Sequence, residues 1–124
     1  MIQRYSRPEM LRIWSEDAKY QNWLRIEIAV CEAWAKLGRI PVESLANIKE
    51  RASFNATRVE ELEKTLKHDV IAFLTCVSEY VGEESRYIHV GLTSSDVLDT
   101  SFALQLRDAA TIIVDDLKQV IEVL

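Results

Sequence analysis

Between Ser15 and Leu37 the apolar residues Tyr20, Trp23, Leu24, Ile28, Val30, Cys31, Trp34 and Leu37 fill most of a helical wheel. Lys19, Asn22, Arg25, Glu32 and Lys36 recur on the narrow side that remains. The pattern predicts a helix buried on more than one side, capped by Ser15 and stopped by Gly38 and Pro41. Before it, Ser6 with Glu9 three residues later and Pro8 between them predicts a short helix from Pro8 to Trp14. After it, Pro41 to Ala52 reads as a third helix with Leu45 and Ile48 inward, and the polar stretch 53–56 as a loop. Thr57 with Glu60 repeats the capping-box signature, and Val59, Leu62, Leu66, Val70, Phe73, Val77 and Val81 then keep helical period up to Gly82. Lys67-His68-Asp69 interrupts that run. Asp69 is expected to cap a new helix there and to leave His68 in the junction. A connection over 83–91 follows. From Leu98 through Phe102, Leu106, Ala109, Ile113, Leu117, Val120 and Ile121 to Leu124 a last stripe has no glycine, proline or cationic final turn to stop it. The expectation is a long bundle helix whose remainder and packing partners lie outside this sequence, and hence an N-terminal fragment.

Composition narrows the class. The chain has 124 residues, 48% of them hydrophobic, with only three glycines and two prolines, which points to one all-α unit rather than a loop-rich sandwich. Twenty acids against 15 bases are mixed along the chain for a net charge of −5, leaving no basic stripe to track a nucleic acid. Cys31 and Cys76 lie within apolar helical patterns and lack metal-ligand spacing, so two buried thiols and no metal site are expected. Without a signal core or a membrane-length apolar run, a soluble cytoplasmic protein is the expectation. No Gly-rich phosphate loop or nucleophile elbow is present, and no cofactor is expected.

Three places carry candidate chemistry. In HVGLTSSDVLDT, residues 89–100, Gly91 permits a turn and Thr93, Ser94 and Ser95 offer hydroxyls at a helix start, where free N–H groups and the dipole suit a carboxylate or phosphate. The same residues fit plain capping, because Thr93 and Asp96 form a capping box and Asp96 and Asp99 would repel an anion. Arg4, Tyr5 and Arg7 before the first helix make either an anion clamp or an ordinary polar terminus. His68 suits proton transfer or phosphate binding, or else a structural role.

Taken in order, RYSRPEM at 4–10, AWAKLG at 33–38, KHDVIAF at 67–73 and HVGLTSSDVLDT at 89–100 resemble the N-terminal domain of the adenylosuccinate lyases, in the fumarase and aspartase superfamily. The resemblance covers essentially the whole chain. It implies residues 1–92 as an N-terminal helical domain and 93–124 as the first part of a central helical bundle. It also implies a purine-pathway enzyme that releases fumarate by β-elimination from adenylosuccinate, leaving AMP, and from the related imidazole carboxamide intermediate. Arg4 and Tyr5 would then hold the nucleotide phosphate, Lys67, His68 and Asp69 would bind substrate with His68 supporting protonation of the leaving base, and Thr93 and Ser94 would bind a succinyl carboxylate. His89 matches the motif with either a binding or a structural role. Lys67 stands where relatives often carry arginine, which keeps the charge and drops any bidentate contact. The principal acid and base fall beyond Leu124 in this family, and each site draws on several subunits of a homotetramer, so the isolated fragment is expected to be inactive. A non-catalytic helical interaction module, or another superfamily member such as an argininosuccinate lyase, is the alternative. The terminus, the 68 junction and the 93 helix start are expected to converge on one hollow.

Overall fold

Ser15 accepts a hydrogen bond from the Ala18 N–H, with Glu16 and Asp17 in the first turn and Lys36 in the last, so the long second helix is capped and charged as its dipole prefers. In the computed structural model, which describes residues 2–124, the helices are α1 (Pro8–Ile13), α2 (Glu16–Lys36), α3 (Val42–Arg51), α4 (Ala56–Leu66), α5 (Asp69–Val81) and α6 (Ser94–Val123). Single 3-10 segments cover Gln3–Tyr5 and Gly82–Tyr87, and no strand occurs among the described residues. The all-α reading holds. The connection after Gly82 is more ordered than expected, because the 3-10 segment carries the chain as far as Tyr87.

Two of the expected caps are not made by the residues that the spacing picked out. Ser6 does not cap α1: its hydroxyl donates back to the Ile2 carbonyl, and Arg7 holds the cap position without a side-chain bond. Thr57 lies inside α4, whose cap is Asn55, accepting from the Arg58 N–H at 3.0 Å. Extended backbone at Asn55 aims its short amide at the first free N–H groups, which a residue already in the helix cannot do.

The core forms around α2. Tyr20 stacks on Phe73 of α5 with ring centroids 5.7 Å apart, Trp23 meets Phe73 edge-on at 5.4 Å, and Phe54 leans on Tyr20 from the loop before α4. Ile48, Val59, Val70, Val77, Val81 and Val97 close the cluster. Helices α4 and α5 form an antiparallel hairpin: Arg58 near the start of one pairs with Glu79 near the end of the other, and the Cys76 thiol reaches the Asn55 carbonyl. Helix α6 runs back along α2. Its start lies by Trp34, and farther along Gln105 donates to the Ile13 carbonyl while Phe102 meets Trp14. Only Val97, Ser101, Gln105 and Ala109 of α6 are buried. Phe102, Leu106, Ile113, Leu117, Val120, Ile121 and Leu124 are exposed, so the apolar stripe read from the sequence exists and most of it is uncovered. Arg7 also pairs with Asp116, tying the N-terminal segment to the distal part of α6.

Candidate functional site

The helix break at 67–69 is built from two backbone choices. Lys67 takes the left-handed conformation at φ 55° and ends α4, and His68 is extended at φ −153°. A non-glycine residue in the left-handed region costs about 1 kcal/mol or more, which the packed hairpin around it sustains. His68, rather than Asp69, is the N-cap of α5: its Nδ1 accepts from the Ile71 N–H at 3.3 Å. An accepting Nδ1 puts the proton of the neutral ring on Nε2. The ring is exposed, so the turn presents an N–H donor to solvent with the Asp69 carboxylate 3.6 Å from Nδ1. Lys67, Lys64, Glu60 and Glu63 line a hollow of about 500 Å³ beside it.

At the start of α6 the capping reading is realised. The Asp96 carboxylate accepts from the Thr93 N–H at 2.7 Å and from the Thr93 hydroxyl at 3.1 Å, and these bonds hold its carboxyl below the ordinary aspartate value. With the Thr93 hydroxyl proton already engaged by Asp96, the half-buried Ser94 hydroxyl is the less committed donor of the two. Gly91 sits at φ +78° against the Trp34 ring, and Trp34 Nε1 donates to the Val90 carbonyl at 2.9 Å. That packing fixes the path of the 89–93 turn. Behind it Trp34, Arg39, Ile40, Tyr87 and Val90 line a second hollow, of about 410 Å³.

His89 belongs to the same turn and has the partner that sequence reasoning missed. Its Nδ1 lies 2.6 Å from Glu27 Oε1 on α2, and Glu27 is only 1% exposed. Burial pushes the Glu27 carboxyl up, and the hydrogen bond with His89 pulls it partly back. Glu27 Oε2 is buried with no partner, and His89 itself is left-handed at φ 67°. The available signal was periodicity: Trp23, Glu27, Cys31 and Trp34 recur on one stripe of α2, so an acid stood where the core begins.

The remaining candidates are Arg4 and Tyr5, both exposed, with the Arg4 guanidinium 4.6 Å from the Tyr5 ring centre. Within one chain the three places do not share a hollow. Tyr20 meets Phe73 in the second turn of α5, while Trp34, about four turns or about 20 Å farther along α2, meets the 89–93 turn, so the starts of α5 and α6 lie toward opposite ends of α2. Arg7 pairs with Asp116, placing the Arg4-Tyr5 segment beside the distal part of α6, away from its start. The expected convergence is therefore not met by one copy. Helical rise separates the three places, and each is fixed by packing with its own neighbours. Among the described residues no group of three or more His, Cys, Asp or Glu side chains stands in position to hold a metal ion, and no helix is long and apolar enough to cross a membrane.

Comparison with known proteins adds the following. The chain is 52% identical over 125 residues to an adenylosuccinate lyase of Aquifex aeolicus, covering 98% of this chain and 29% of that protein. It is 55% identical over 122 residues to the adenylosuccinate lyase of Synechocystis sp., covering 98% and 28%. The adenylosuccinate lyase of Bacillus subtilis is 48% identical over 124 residues, with 100% and 29% covered. The chain thus spans less than a third of the length of these curated relatives. Two solved structures share the fold. A 3-carboxy-cis,cis-muconate lactonizing enzyme from Pseudomonas putida aligns with a TM-score of 0.81 and 30% identity, over 91% of this chain and 27% of that one. A fumarate lyase from Mesorhizobium sp. BNC1 aligns with a TM-score of 0.76 and 26% identity, over 84% and 25%. The helical order, the turns at 68 and 93 and these similarities agree with the family described as Lyase, whose pattern matches residues 3–124, and the chain belongs to that family.

Proposed function

We propose that this chain is the N-terminal part of an adenylosuccinate lyase, which cleaves adenylosuccinate to AMP and fumarate and acts likewise on the related imidazole carboxamide intermediate. The observation that carries this is identity of about one half to three adenylosuccinate lyases along essentially the whole chain. The reaction is a β-elimination: a proton α to a carboxylate leaves, the carbon–nitrogen bond breaks, and the departing nitrogen gains a proton. Residues 1–92 serve as the N-terminal helical domain and 93–124 as the opening of the central bundle. Arg4 and Tyr5 hold the phosphate, Lys67 and Asp69 bind substrate, and His68 offers its Nε2–H toward the leaving base, an orientation that its capping bond through Nδ1 supports. Ser94, and Thr93 once its hydroxyl turns from Asp96, bind a succinyl carboxylate, with His89 beside them. The main acid and base come from sequence beyond Leu124.

Separation of the three places within one chain supports a site assembled from several copies, as in a homotetramer, and the uncovered apolar stripe of α6 is the surface on which such copies meet. A cytoplasmic setting goes with this reading. Fumarate release from adenylosuccinate by the full-length protein, compared with His68→Ala and Thr93→Ala, is the test. Both variants are expected to lose most of the activity, and release at the unsubstituted rate in both would remove the assignment.

A further inference from the structure

We infer that Glu27 is a positioning residue for His89, setting which ring nitrogen faces the start of α6. A fully buried carboxylate with one oxygen unpartnered is costly to keep, and so is a histidine at φ 67°; both costs meet at one contact of 2.6 Å. With the Glu27 carboxyl ionised it can only accept, so Nδ1 of His89 donates to it and the ring cannot turn without leaving Glu27 alone in the core. Nε2 is then the free nitrogen. It makes no hydrogen bond among the described residues, and the side chain is 19% exposed. The turn that carries it is held by Trp34, whose Nε1 donates to the Val90 carbonyl, and leads directly into the Thr93–Asp96 capping box. Glu27 thereby holds an accepting nitrogen beside the Thr93-Ser94 helix start, toward a hydrogen-bond or proton donor of the substrate. Glu27 acts through His89 and does not reach the substrate itself. The arrangement is the one by which a carboxylate behind a histidine fixes its tautomer and orientation in ligand-binding sites.

The inference rests on the lyase reading for what Nε2 meets, and its test separates the two. Glu27→Met removes the acceptor at similar volume, and Glu27→Gln keeps an acceptor without the charge. Nitrogen-15 NMR of the imidazole is expected to show a protonated Nδ1 in the unsubstituted protein, loss of that preference in Glu27→Met and partial retention in Glu27→Gln. In fumarate release by the full-length protein, kcat/KM is expected to fall about ten- to a hundred-fold in Glu27→Met, with partial rescue in Glu27→Gln. Glu27→Met removes a half-satisfied buried charge but leaves His89 Nδ1, on a side chain 19% exposed, to find water instead, so its melting temperature should change by only about a few degrees. A merely structural pair would lower stability and activity together. Unchanged kcat/KM in a folded Glu27→Met protein, an unprotonated Nδ1 in the unsubstituted protein, or failure of both variants to fold would each overturn the inference. Absence of any fumarate release from the unsubstituted full-length protein would instead count against the lyase reading, and the nitrogen spectra would still decide the role of Glu27.

Discussion

Replacing Gly91 by alanine tests whether the 89–93 turn is held by close contact with α2. An added Cβ would lie 3.2 Å from Trp34 Cζ2, inside ordinary van der Waals separation, at a residue with φ +78°. The left-handed backbone alone costs an alanine about 1–2 kcal/mol. The crowding adds to this, because the Trp34 ring has to shift by a few tenths of an ångström while its Nε1 is tied to the Val90 carbonyl, a bond worth about 0.5–1.5 kcal/mol. The sum is about 1.5–3.5 kcal/mol. Gly38 supplies the control: it has φ +70° but nothing within 4 Å of the added atom, so Gly38→Ala carries the backbone cost of about 1–2 kcal/mol and no crowding. At roughly 4 °C per kcal/mol for a domain of this size, Gly91→Ala should lower the melting temperature by about 6–14 °C and Gly38→Ala by about 4–8 °C. Urea unfolding followed by tryptophan fluorescence and by circular dichroism measures both. A cycle with Trp34→Ala isolates the contact, since removing the ring should make Gly91→Ala cost no more than Gly38→Ala. Equal losses from Gly91→Ala and Gly38→Ala with Trp34 in place would refute the argument.

Two further outcomes are expected. Asn55→Ala removes the cap of α4 and should cost about 1 kcal/mol, whereas Thr57→Ala should change stability by less than about 0.5 kcal/mol; denaturant midpoints reporting the reverse order would return the cap to Thr57. Burial pushes the Cys31 thiol up to about 11, and Cys76 is buried as well, so iodoacetamide at pH 8 should label neither in the folded protein and both after unfolding. Mass spectrometry of the native protein showing rapid modification of Cys31 would contradict the packing around it.

By itself the sequence determined the helices and several of their punctuation marks, because those signals act between residues a few positions apart. Ser15 and Gly38 bound α2, the interruption at Lys67-His68-Asp69 is a true break, and Thr93 with Asp96 closes a capping box. Even locally it misjudged a residue where several polar side chains compete for the same free N–H groups: Asn55 won over Thr57, and His68 over Asp69. The stripe on α6 told which residues are apolar and said nothing of what covers them, since periodicity records a preference to be buried and not the surface that satisfies it. The His89–Glu27 contact joins residues 62 positions apart and the Trp34–Val90 bond residues 56 apart, so only the mutual packing of α2 with the turn before α6 could decide them. Tertiary structure decided, too, that the clusters at Arg4, His68 and Thr93 stand apart in one chain, because each helix lengthens by a fixed rise per residue and carries its chemistry to whichever end the packing assigns.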